Sequence, residues 1–232
     1  MSRKSVYSLC FLALAVCLTS LPAMAQTTLF SDLGPTGNVY NCCTGWTVGG
    51  SATLGSMFVA ANEFTAMASG SVSQIDIGMG YVTGDNSFIA SLWTVSNGMP
   101  GTLIAEFDNL SSNQSFGGCC GLVSITGISG VNLTAGTSYY LLMGPTNLSG
   151  TTWEAWNLNN QGATGTDLFA TSGCSSGNGT GCTWTNNGSG STLGAFDILG
   201  GAPSTVPEPS SLLLLGSGLV GAFGTIRRKM MR

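Results

Sequence analysis

Between Gln26 and about residue 200 the apolar residues come in short runs broken by Gly, Asn and Ser clusters. None of these runs carries a sustained helical stripe with a cap. Ile75, Ile77, Met79 and Tyr81 alternate with Gln74, Asp76, Gly78 and Gly80, the period of a half-buried strand. Phe88 to Val95 is apolar on both faces, as a central strand is, and Leu103 to Phe107 resumes the sheet after the turn cluster Asn97-Gly98-Met99-Pro100-Gly101. Further strands are expected at 56–60, 122–125, 138–143, 153–158, 167–170 and 194–199. Short strands with turn signals between them predict an all-β body over 26–200, a β-sandwich of jelly-roll-like form. At about 175 residues, such a body can bury one sizeable core.

Charge limits what this body can do. Only 7% of the 232 residues are charged and there is no histidine. The basic residues are Arg3, Lys4, Arg227, Arg228, Lys229 and Arg232, so none lies between Ser5 and Ile226. A nucleic-acid surface in the body is excluded, because phosphate binding needs Lys and Arg. Histidine triads, lysine Schiff bases and arginine phosphate clamps are excluded for the same reason of inventory.

The positive charges instead mark the two ends. Arg3 and Lys4 precede an apolar run from Val6 to Leu18, and Leu21-Pro22-Ala23-Met24-Ala25 supplies a helix breaker and an A-x-A site. Residues 1–25 therefore read as a secretory signal, cleaved after Ala25 and before Gln26, with Ala23 and Ala25 as the small residues of the site. At the other end, 201–209 is a Gly/Pro-rich linker ending in Pro207-Glu208-Pro209, whose prolines set an extended backbone. Ser210 to Ile226 is uncharged and mostly apolar; at ~1.5 Å per residue it reaches about 25 Å, enough for a short membrane helix. Arg227-Arg228-Lys229 closes that span as a cytoplasmic stop, so 210–232 forms a transmembrane helix with a basic tail and the body faces outward.

The order Pro207-Glu208-Pro209, apolar span, Arg227-Arg228-Lys229 closely resembles the PEP-CTERM sorting signal of bacterial exosortase substrates. The resemblance implies a membrane-embedded exosortase as partner, cleavage near Pro207-Glu208-Pro209, and release or transfer to the cell surface. It also implies a Gram-negative setting beside exopolysaccharide and biofilm-matrix production. Glu208 and its flanking prolines would be substrate residues. The stretch from Val72 to Phe107 is similar to choice-of-anchor domains, on Val72, Ile75, Ile77, Leu92, Gly98, Pro100, Gly101 and Leu103. That likeness implies a β-sandwich placed at the surface, and no ligand.

Removal of the signal takes Cys10 and Cys17 and leaves Cys42, Cys43, Cys119, Cys120, Cys174 and Cys182. An even number in an exported chain predicts disulfides, with fifteen connectivities open. A Cys174–Cys182 ring stabilises by about 2.6 kcal/mol in the chain-entropy model, and one bridge between the 42/43 and 119/120 doublets by about 4.5 kcal/mol. Adjacent cysteines on a strand point to opposite faces, so one doublet cannot bond both members of another without a bend. Metal ligation is the rival, but the doublets lack CxxC spacing and no histidine completes a mixed site.

Two carboxylates suffice for glycoside hydrolysis, and Glu106 and Glu154 both fall on expected strands, although no motif surrounds either. Carbohydrate binding has a candidate in Trp153-Glu154-Ala155-Trp156, where Trp153 and Trp156 face opposite sides and Glu154 shares the face of Trp156. Trp156 and Glu154 are the candidate glycan contacts. Trp46 and Trp184, in Gly/Thr-rich segments, either face solvent or pack on disulfides. No motif requires a cofactor; hard oxygens for calcium are available at Asp85-Asn86 and Asp108-Asn109, which serve equally as turn formers. Threonines form no regular flat array of the kind that would favour ice binding. The sequence thus predicts an exported, non-enzymatic, structural or adhesive β-sandwich, with a carbohydrate-binding module for exopolysaccharide as the alternative and a two-carboxylate glycosidase behind it. With both ends removed the body keeps nine acidic and no basic residues, which favours neutral or calcium-linked glycans over free polyanions.

Overall fold

The computed structural model describes residues 26–201. The expected signal segment with Ala23 and Ala25, the Pro207-Glu208-Pro209 motif, the apolar span and the Arg227-Arg228-Lys229 cluster lie outside the described residues. Within them the chain forms β1 (Thr27–Ser31), β2 (Gly45–Gly49), a single helical turn α1 (Ser51–Leu54), β3 (Val59–Thr65), β4 (Gly70–Ile77) and β5 (Met79–Thr83). It continues through β6 (Phe88–Ser96), β7 (Met99–Leu110), β8 (Val123–Thr126), β9 (Asn132–Leu133) and β10 (Ser138–Pro145). The last strands are β11 (Trp153–Asn157), β12 (Thr164–Ala170), β13 (Trp184–Thr192) and β14 (Phe196–Gly200). Among the described residues no helix is long and apolar enough to cross a membrane.

The strands build an antiparallel β-sandwich. One sheet runs β1-β14-β4-β8, with β9 also on β4; a second runs β13-β12-β3-β10-β6-β7; a small third runs β2-β11-β5. Alternation along each strand explains the layering. Ile75 and Ile77, Val123 and Ile125, and Phe196 and Ile198 are buried from the first sheet, and Phe64, Leu92, Leu141 and Met143 from the second, in one contiguous core. Phe196 sits at its hub, stacked on Phe30 at 4.7 Å and edge-on to Phe64 at 5.4 Å between ring centroids.

Two local features differ from the sequence expectation. The alternating run from Ile75 to Tyr81 is not one strand. It changes sheets at Gly78, whose N–H donates to the Ala195 carbonyl at 2.9 Å while its own carbonyl accepts from Asn157 N at 2.8 Å. A Cβ there would lie 2.9 Å from the Tyr40 ring, so only glycine permits the approach. The turn expected over 97–101 narrows to Asn97 and Gly98, both at positive φ, as a two-residue hairpin demands. Pro100 and Gly101 already belong to β7, an outer strand of its sheet where a missing N–H is tolerated.

A second, smaller core lies on the other face of the six-stranded sheet, formed by Ala61, Trp93, Tyr140, Leu142 and Leu168. The loop between β12 and β13, closed by the Cys174–Cys182 disulfide, packs over it. The Asn178 carbonyl accepts from Ser91 Oγ at 2.8 Å and from Trp93 Nε1 at 3.0 Å. Gly179 presses on Leu142 and Trp184 so closely that a Cβ would stand 2.3 Å from Leu142. At the opposite end of the same sheet from β7, β13 reads Trp-Thr-Asn-Asn-Gly-Ser-Gly-Ser-Thr and is largely exposed.

Candidate functional site

The central strand β11 places the residues singled out for glycan contact, and it places them inside. Trp156 is fully buried, and its Nε1 donates to the Ala195 carbonyl at 3.2 Å. Gly194 lies flat on the indole, where a Cβ would meet the ring at 2.4 Å. Trp153, on the opposite face, is the partly exposed one. Glu154 shares the face of Trp156 as expected, and that face is the core: Glu154 is also fully buried, accepting a hydrogen bond from Ser112 Oγ on one oxygen while Oε1 has no partner. Burial raises its pKa to about 7 against the opposing Ser112 bond. Neither residue is available to a glycan, and the assignment of Trp156 and Glu154 as glycan contacts is corrected accordingly. Glu106 is exposed on β7 and accepts from Asn178 Nδ2 at 2.6 Å, which anchors the disulfide loop.

Four other carboxylates were not recognisable in the sequence as a group. Asp76 and Asp197 are cross-strand partners between β4 and β14. Asp32 is buried at the end of β1, where its Oδ1 accepts the Phe196 N–H at 2.7 Å. Burial, reinforced by Asp197 and opposed by that bond, raises Asp32 to about 8. Burial and then the neighbouring Asp76 raise Asp197 to about 7. Asp167 accepts from Asn62 Nδ2 at 2.6 Å and from Asn187 Nδ2, and burial still raises it to about 6. Only the strand register brings these groups to light.

A groove of 370 Å³ is lined by Phe30 of β1, Glu63 and Phe64 of β3, Thr164 and Thr166 of β12, and Ser189 of β13. An aromatic edge, hydroxyls and one carboxylate suit a small neutral polar ligand. No sequence signal marks this groove, because its walls come from four strands far apart in the chain. At the proposed calcium positions, Asn86 is engaged at both ends of its amide: Oδ1 accepts Ser112 N at 2.7 Å and Nδ2 donates to Ser112 O at 3.0 Å. Asn109 adopts a left-handed backbone near the end of β7.

Among the cysteines, the structure pairs Cys174 with Cys182 and brings Cys42 to the 119/120 doublet across 77 residues of sequence. Full pairing of the six cysteines is corrected, because Cys43 is exposed and free. Trp46 is half-buried, its Nε1 donating to the Thr192 carbonyl at 3.0 Å, and Trp184 packs under the loop that Cys174 and Cys182 close.

Fold and cysteines together describe an all-β sandwich with disulfide-distance cysteines. Residues 205–229 match the family model described as the PEP-CTERM protein-sorting motif, so the chain carries the sorting signal of a PEP-CTERM protein. That motif makes it an exported, exosortase-sorted protein: a membrane-anchored precursor that the exosortase, a membrane enzyme, then processes. No match to a curated protein or to a solved structure was found.

Proposed function

We propose that the body is a non-catalytic structural or adhesive module, delivered by its sorting signal to the cell surface or extracellular matrix. The observation that carries this reading is the placement of the sorting motif, which begins at residue 205, a few residues after β14 ends at Gly200. The body is thus the cargo of the signal. The roles of the two strand glutamates support the absence of catalysis: Glu154 is enclosed in the core and Glu106 holds a loop. A choice-of-anchor type of module is part of the same proposal, supported by the sandwich architecture. The test is cell fractionation with intact-mass measurement of the protein. A surface or medium fraction ending near Pro207-Glu208-Pro209 is expected; protein recovered only in membranes with Arg232 intact would overturn it.

A second reading, binding of a neutral glycan from the exopolysaccharide, is favoured by the groove beside Glu63 and Phe30. It predicts saturable binding on a glycan array that Glu63→Ala abolishes. Binding unaffected by that substitution, or no binding, would set it aside.

A further inference from the structure

Cys42, which precedes β2, and Cys119 and Cys120, which precede β8, converge with all three sulfurs within 4.8 Å of one another. Cys42 lies at disulfide distance from Cys119, which lies at disulfide distance from Cys120, and Cys42 Sγ is 3.6 Å from Cys120 Sγ. A sulfur forms one disulfide, so three sulfurs hold one bond and leave one thiol beside it. Cys43 is exposed and stands outside the cluster, so it does not fill the vacancy.

The two segments are held together by contacts that do not involve sulfur. Gly117 N donates to the Cys42 carbonyl at 2.9 Å, Tyr40 Oη to the Gly121 carbonyl at 2.8 Å, and Gln114 Nε2 to Tyr40 Oη. Both members of the doublet therefore stay within reach of Cys42 whichever of them is bonded to it. Export into an oxidising compartment favours a disulfide here over a thiolate-bound metal.

We propose that Cys42 is a shared disulfide partner that exchanges between Cys119 and Cys120, and that the displaced thiol is a site of mixed-disulfide formation with small disulfides. In the internal step the Cys120 thiolate attacks Cys42 Sγ, the Cys42–Cys119 bond breaks, and Cys119 leaves as thiolate. The proton lost by Cys120 is returned to Cys119 through solvent, and nothing is oxidised or reduced overall. Cys119 is the exposed member of the cluster, while Cys42 and Cys120 are half-buried, so exchange toward Cys120 presents a thiol to solvent. In the external step the Cys119 thiolate attacks a small disulfide, forms one S–S bond and releases one thiolate. The proposal is independent of the role assigned to the body.

The test uses the protein recovered after export, without residues 1–25 and their Cys10 and Cys17, purified without reductant, trapped with a maleimide in acid, cleaved at aromatic residues and sequenced by fragmentation. Cys42 is expected bridged to Cys119 in some molecules and to Cys120 in others, with label on Cys43 and on the unbridged neighbour. Cys119→Ser and Cys120→Ser should each leave Cys42 bridged to the remaining cysteine. In a Cys43→Ser background, oxidised glutathione should add one adduct, on Cys119. Cys119 bridged to Cys120 with label on Cys42, Cys43 bridged to the doublet, Cys42 freed by either single substitution, three free thiols in the cluster, or no adduct would each overturn the proposal.

Discussion

Asp76 on β4 and Asp197 on β14 stand directly opposite one another across an antiparallel pair, each with a buried carboxylate oxygen that has no hydrogen-bond partner. Like charges so placed destabilise a sheet, and no basic residue lies between Ser5 and Ile226 to offset them. Asp197→Asn keeps the shape and removes the charge. It is expected to raise the melting temperature at pH 8 by about 2–4 °C, the equivalent of roughly 1 kcal/mol. At pH 5, where Asp197 is already protonated, it should change little. Melts followed by circular dichroism at the two pH values check this.

Stability of the body should fall as the solution becomes alkaline. Asp32, Glu154 and Asp167 are held at about 8, about 7 and about 6, above the ~4 of unfolded carboxylates. The folded state therefore binds more protons than the unfolded state between those limits, and its stability is full below pH ~4 and lost as pH rises through 6 to 8. Urea midpoints should be higher at pH 5 than at pH 8. Glu154→Gln, which needs no proton to stay neutral, should flatten the profile. A midpoint that climbs with pH would contradict the assignment.

Trp156→Ala should cost about 3–5 kcal/mol, as expected for emptying a core aromatic site. Gly194→Ala drives a methyl into the same indole, at 2.4 Å, and should also destabilise the fold. Denaturant titration of the two variants checks both. Any loss of ligand binding in Trp156→Ala should track the unfolded fraction alone.

The Cys174–Cys182 ring holds a loop over Trp93, which is 8% exposed. The double substitution Cys174→Ser and Cys182→Ser is expected to cost about 2.6 kcal/mol by loop entropy. It should also wet the small outer core, shifting tryptophan emission to longer wavelength before global unfolding.

The sorting motif was the part most legible in the sequence, because a Pro-Glu-Pro tripeptide, an uncharged apolar run and a basic cluster are local along the chain. Strands with strong alternation or continuous apolar runs, such as β6 and β10, were placed within a residue or two. β13 was not, because its side chains are polar and small and only its pairing with β12 makes it a strand. Glu154 and Trp156 were correctly put on one face, but period-two reasoning cannot say which face is inside. That choice rests on β2 and β5 flanking β11 over Phe196. The groove and the Asp76–Asp197 pair depend on register between distant strands, which no short window contains.

β13 has a further consequence for how copies of the body meet one another. Its outward edge offers backbone N–H and C=O groups, yet its Asn-Asn-Gly-Ser-Gly sequence provides little apolar surface with which another strand could zip, and register shifts interrupt its ladder with β12. Such an edge is a poor template for strand addition. Copies can therefore lie side by side without fusing into cross-β fibres through that edge, and contacts made there fall to side chains.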